Sequence, residues 1–65
     1  MIGDNIRRIR SEKDISMSEL AKITGLSRYT INNIEYSRLK DIRLSTLQKI
    51  AAALNVDIAE LIQKK

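Results

Sequence analysis

A guanidinium, two carboxamides and two phenols recur along one short run of the chain: Arg28, Tyr29, Asn32, Asn33 and Tyr36. Their spacing of i, i+1, i+4, i+5 and i+8 puts them on one face of a helix. None of these groups makes or breaks covalent bonds readily. What they do well is donate and accept hydrogen bonds in fixed planar geometry. A solvated polar face is the alternative reading, but a tyrosine beside an arginine and two asparagines at a helix start is unusual for solvation alone. Elsewhere the chemistry of catalysis is thin. The 65 residues contain no Cys and no His, which removes disulfides, thiol nucleophiles, histidine bases and the common zinc-ligand sets. Asp14, Glu19 and Asp57 are accounted for as turn and cap residues, and no acid–base constellation is visible, so an enzyme is not expected and no cofactor or metal is implied.

The charge balance points towards a polyanion. Twelve Lys and Arg against eight Asp and Glu leave a formal charge of +4, with a pI near 9.8. All six arginines lie at or before position 43: Arg7, Arg8, Arg10, Arg28, Arg38 and Arg43. Arginine suits phosphate oxygens and guanine edges. No run is long and apolar enough to span a membrane, and "MIGDNIRRIR" carries arginines where a signal peptide needs an apolar stretch. The lack of cysteine fits a reducing compartment.

Short helices with tight connections must position the polar face. Strand-like alternation is missing, so the chain reads as all-α, a single domain over residues 1–65. Ile2, Ile6 and Ile9 predict a first helix over about residues 4–13. Ser16 as cap, Glu19 three residues on, and an Ile15–Leu20 staple predict the start of a second. Leu20, Ala21 and Ile23 mark its apolar face, and Gly25 fits the left-handed stop position. Ser27 caps a third helix of about residues 28–36, with Leu26 and Ile31 as the staple and Ile34 facing inward. Only residues 25–27 separate the second and third helices, the connection length of a helix-turn-helix. Leu39 and Ile42 anchor the polar loop "EYSRLKDIR". A fourth helix over about 44–54 carries Leu44, Leu47, Ile50, Ala51 and Leu54, with Asp41 or Ser45 as alternative caps. Asp57, Glu60 and a Val56–Leu61 staple begin a fifth, from about Ile58 to Ile62.

Residues 17–36, "MSELAKITGLSRYTINNIEY", resemble the helix-turn-helix of the phage-repressor family (Cro and lambda-repressor-like, also called XRE). The string Leu20-Ala21-x-x-x-Gly25-Leu26-Ser27, followed by Ile31, Ile34 and Glu35, carries the resemblance. "LSTLQKIAAALNVDIAELI" is similar to the family's last two helices. The resemblance implies a compact five-helix lambda-repressor-like domain in which helices 2 and 3 form the motif. It implies a sequence-specific double-stranded DNA-binding transcriptional regulator, expected to be a repressor, with residues 28–36 in the major groove. Arg28, Tyr29, Asn32 and Asn33 are then the expected base contacts, through Arg to guanine and Asn to adenine. Ser18, Ser27, Tyr36, Arg38, Lys40 and Arg43 are the expected phosphate contacts.

The family also implies a semi-buried structural ion pair between Arg10 and Glu35. Arg7 and Arg8 stay open as backbone contacts or a solvated face. A homodimer on a pseudo-palindromic operator is expected, with Val56, Ile58, Leu61 and Ile62 either its interface or simply core. The chain departs from the family at Met17, where Gln usually holds a phosphate, and at Ile42–Arg43, where Pro-Ser is common. The competing reading is an antitoxin or other regulatory module that uses the same fold to bind protein. Either way the resemblance implies the cytoplasm of a prokaryote or a phage-infected host. The Met1 start and "QKK" end suggest a complete small protein.

Overall fold

The computed structural model describes residues 2–36 and 42–63. Five helices occupy them, and no strand: α1 (Ile2–Glu12), α2 (Met17–Thr24), α3 (Arg28–Tyr36), α4 (Leu44–Leu54) and α5 (Ile58–Ile62). Leu39 and Asp41, expected as an anchor and a cap, lie outside the described residues, as do Arg38 and Lys40.

Helix α1 begins earlier than its isoleucine spacing suggests, because Ile2 packs partly buried against the core. Asp14 stops it, taking the left-handed conformation at φ 55° that Asp tolerates better than most residues. Helix α2 opens on a complete capping box. The Ser16 hydroxyl accepts from the Glu19 N–H at 3.0 Å, and the Glu19 carboxylate accepts from the Ser16 N–H at 3.1 Å. At its end Gly25 adopts φ 77° and its N–H reaches the Ala21 carbonyl at 2.9 Å. Thr24 adds a fastening that the sequence pattern did not suggest. Its hydroxyl donates to the Leu20 carbonyl at 2.7 Å and accepts from the Leu26 N–H at 3.2 Å.

Helix α3 starts where Ser27 caps it, the hydroxyl accepting from the Thr30 N–H at 3.1 Å. Helix α4 departs from expectation at both ends of its first turn. Its N-cap is Arg43, which makes no side-chain cap bond, and Ser45 lies inside the helix. Leu44 is exposed rather than on the apolar face, since it precedes the turn that enters the core. Asn55 ends α4 at φ 58°, another left-handed stop. Helix α5 follows Asp57, whose N–H donates to the Glu60 carboxylate at 3.1 Å.

The core is aliphatic: Ile6, Ile9, Leu20, Ile31, Ile34, Leu47, Ile50, Leu54 and Leu61, with Ala21 and Ala51 where helices approach closely. Helix α1 packs on α3 and α5, α2 on α3 and α4, and α4 on α5. Ile23 is not part of this core, at 58% exposure. Leu20 and Ala21 define the buried side of α2, with Thr24 half-buried beside them, and Ile23 falls on its flank.

Two residues unremarked in the sequence tie the ends together. Asn5 is buried, and its amide donates to the Leu61 and Gln63 carbonyls at 2.9 and 2.7 Å. It thereby satisfies carbonyls that the end of α5 leaves without helical partners. Gly3 lets α1 approach the end of α3. A Cβ there would lie 2.5 Å from the Glu35 carbonyl oxygen and 2.8 Å from that of Ile34.

Candidate nucleic-acid interface

The outward face of α3 follows from what the inward face is doing. Ile31, Ile34 and Glu35 are buried, so residues on the opposite side must meet solvent. Arg28, Tyr29, Asn32 and Tyr36 are exposed, Tyr29 by 76%. Leaving a phenol this open forfeits the stabilisation that burying its ring would bring. Asn33 differs: it is half-buried and already has an interaction partner. The structure therefore brings four of these five polar residues out together and leaves the fifth only half-exposed.

The face is held at a set angle by α1. Arg10 Nε and Nη2 make a two-pronged contact with the Glu35 carboxylate at 2.9 and 3.0 Å. Arg10 Nη1 also donates to the Ile15 carbonyl at 3.0 Å, joining the α1–α2 connection to the same group. The Glu35 side chain is fully buried and Arg10 largely so. Hydrogen bonding to Glu35 is the main cause that raises the Arg10 pKa, against the opposing effect of burial. A planar guanidinium gripping a buried carboxylate constrains rotation as well as distance. The Arg10–Glu35 ion pair is thus a joint between α1 and α3.

Arg7 lies one turn before that joint. Its guanidinium sits over the Tyr36 ring, 4.7 Å from the centroid, and also bonds the Asp4 carboxylate. Arg8 pairs instead with Glu12 on the exposed side of α1, at 3.4 Å.

The expected phosphate contacts are differently placed. Ser18 is exposed in the first turn of α2, where helical N–H groups and the positive end of the dipole favour anions. Met17 packs against the core, so the side chain standing where the family has Gln contributes to packing. Ser27 has its hydroxyl engaged twice, by the Thr30 N–H and, at 2.9 Å, by the Thr30 hydroxyl. Arg43 is exposed at the entrance to α4.

Of the four residues expected at a dimer interface or in the core, Leu61 is not at an interface. It is 0% exposed and belongs wholly to the core, so it offers no surface to a second copy. Val56 and Ile58 are partly buried against the same core. Ile62 alone stands out, at 50% exposure.

The geometry of a capped two-helix motif, a three-residue turn and an exposed polar second helix defines a helix-turn-helix domain. The chain belongs to the Cro/C1-type helix-turn-helix DNA-binding domain family, whose model matches residues 5–64. It is 34% identical over 65 residues to the transcriptional regulator SinR of Bacillus subtilis, covering 100% of this chain and 59% of SinR. It therefore spans less than two thirds of that relative. It is 32% identical to the control protein C.SmaI of Serratia marcescens over 65 residues, covering 76% of that protein. The crystal structure of SinR in complex with DNA superposes with a TM-score of 0.89 at 33% identity, covering 97% of this chain and 100% of that one.

Proposed function

We propose that this chain binds double-stranded DNA with sequence specificity and acts as a transcriptional regulator, in the first instance a repressor. One observation carries the proposal: an exposed face of Arg28, Tyr29, Asn32 and Tyr36 on a helix that is clamped, capped and buried on its other side. A rigid helix with donors at its N-terminal end suits the major groove, where Arg reads guanine and Asn reads adenine. Arg28, Tyr29 and Asn32 read base edges. Asn33, half-buried and engaged, is the weakest of the expected base contacts. Ser18, Tyr36 and Arg43 engage phosphates, together with Arg38 and Lys40 from the segment between α3 and α4, and Ser27 contributes less because its hydroxyl is occupied. The protein works by binding, not by catalysis, at the DNA of a prokaryotic or phage-infected cell.

A single module makes few contacts, so two copies act on a pseudo-palindrome with half-sites about 34 Å apart, one turn of DNA. The exposed Ile62, with Val56 and Ile58 only partly buried, supports a dimer contact at α5. Selection from random duplexes, followed by a salt titration on the selected site, tests the proposal. An enriched pseudo-palindrome and affinity falling steeply with salt are expected. No enrichment, with affinity insensitive to salt, would end it.

A further inference from the structure

Gly3, Arg7 and Arg10 form one stripe along α1, at i, i+4 and i+7. Every member meets the last turn of α3. Gly3 lies against the Ile34 and Glu35 carbonyls, Arg10 holds the Glu35 carboxylate, and Arg7 covers the Tyr36 ring. The first two fix the backbone and a buried side chain. The third acts on a side chain that is exposed and stands at the end of the polar face.

We propose that Arg7 is a positioning residue for DNA binding: it orders the Tyr36 ring beforehand and does not itself touch DNA. The proposal rests on the DNA-binding reading above. Three observations carry it. The guanidinium is 4.7 Å from the ring centroid, within cation–π range. The Asp4 carboxylate, one turn back, bonds the same guanidinium and so restrains it over the ring. That bond also sets a negative charge beside Arg7, which makes the pair a poorer phosphate ligand than a lone arginine. A free tyrosine at a helix end must lose side-chain freedom when it meets a phosphate. Here the ring is already held, so the loss is smaller at the moment of binding.

The test compares a charge-neutral double substitution, Asp4→Asn with Arg7→Gln, against the wild type on the selected duplex at several salt concentrations. Affinity is expected to fall roughly two- to fivefold, the equivalent of one exposed cation–π contact. The slope of affinity against salt stays unchanged, because no phosphate contact is lost. In a Tyr36→Leu background the same double substitution has no further effect on affinity, whereas a general structural role for Arg7 would cost the same in both backgrounds. In the free protein, NMR of the Arg7 side-chain protons is expected to show a ring-current shift that disappears with Tyr36→Leu. A salt slope flattened by about one unit would make Arg7 a direct phosphate ligand and overturn the proposal. Additive losses, or a missing ring-current shift, would overturn it as well. A wild-type protein that binds no duplex would remove the DNA reading itself, an outcome distinct from all of these.

Discussion

Replacing Gly3 by alanine tests whether α1 is seated on the end of α3 as described. The added Cβ would lie 2.5 Å from the Glu35 carbonyl oxygen and 2.9 Å from the Glu35 carbonyl carbon, both backbone atoms that cannot rotate away. An ordinary carbon–oxygen contact is about 3.3 Å or more, so the first turn of α1 must retreat by roughly 0.8 Å. Overpacking of this kind costs about 1–3 kcal/mol, and alanine's better helix propensity returns at most about 1 kcal/mol. Because the clash is with backbone, the upper part of the overpacking range applies, and a net loss of about 1–2 kcal/mol is expected. A domain of this length has about 3–10 kcal/mol in total, so the loss is large. With a urea slope of about 1 kcal/mol per molar, the unfolding midpoint should fall by about 1–2 M in a titration followed by circular dichroism. DNA affinity should fall too, since the stripe that orients α3 has been lifted. Gly25→Ala provides the contrast. Nothing lies within 4 Å of its Cβ position, so only the backbone cost of φ 77° applies, about 1 kcal/mol. An unchanged midpoint and wild-type affinity for Gly3→Ala would refute the close seating of α1 on α3.

Glu35→Ala should destabilise by about 3 kcal/mol or more, because Arg10 is left largely buried without its partner; urea titration reads this directly, and a loss below about 1 kcal/mol would mean the pair is dispensable. Leu61→Ala should cost about 2–5 kcal/mol as a core cavity, while Ile62→Ser should leave stability within about 0.5 kcal/mol and weaken self-association in sedimentation. Stability should be nearly flat between about pH 6 and pH 7.5, since the chain has no histidine to titrate there. The raised Arg10 pKa agrees in sign: its contribution is complete below the ordinary arginine value and is lost only as pH climbs past the raised one. A clear transition in thermal stability between those pH values would contradict this.

Much of the scaffold was legible because it is local. Ser16 with Glu19, Gly25, Ser27, and Asp57 with Glu60 each announce a helix boundary through chemistry within four residues. The same local rules placed Arg28, Tyr29, Asn32 and Tyr36 on the outward face of α3, but not the half-burial of Asn33. What they missed depends on distant partners. Asn5 reads as an ordinary polar residue until α5 ends beside it, 56 residues away. Gly3 looks like a weak helix residue until α3 crosses it. Arg7 reads as a surface charge until Tyr36 arrives beneath it. The errors at Ile23 and Leu44, and the choice left open between interface and core at Leu61, have one origin. Apolar periodicity locates a helix face but not how far the neighbouring helices wrap around it. Thus Ile23 and Leu44 are left out of the core, and Leu61 is taken fully into it.

The central claim is that α3 reads bases while its surroundings hold phosphates. Its most direct measurement is the duplex selection repeated with Arg28→Ala and Arg43→Ala beside the wild type. Arg28→Ala should relax preference at one base position in each half-site, a discrimination of about 1–3 kcal/mol. Arg43→Ala should weaken all sequences alike and flatten the salt slope by about one unit, leaving the preferred sequence unchanged. Equal losses on every sequence for both variants, with no position relaxed, would contradict the assignment of base reading to α3.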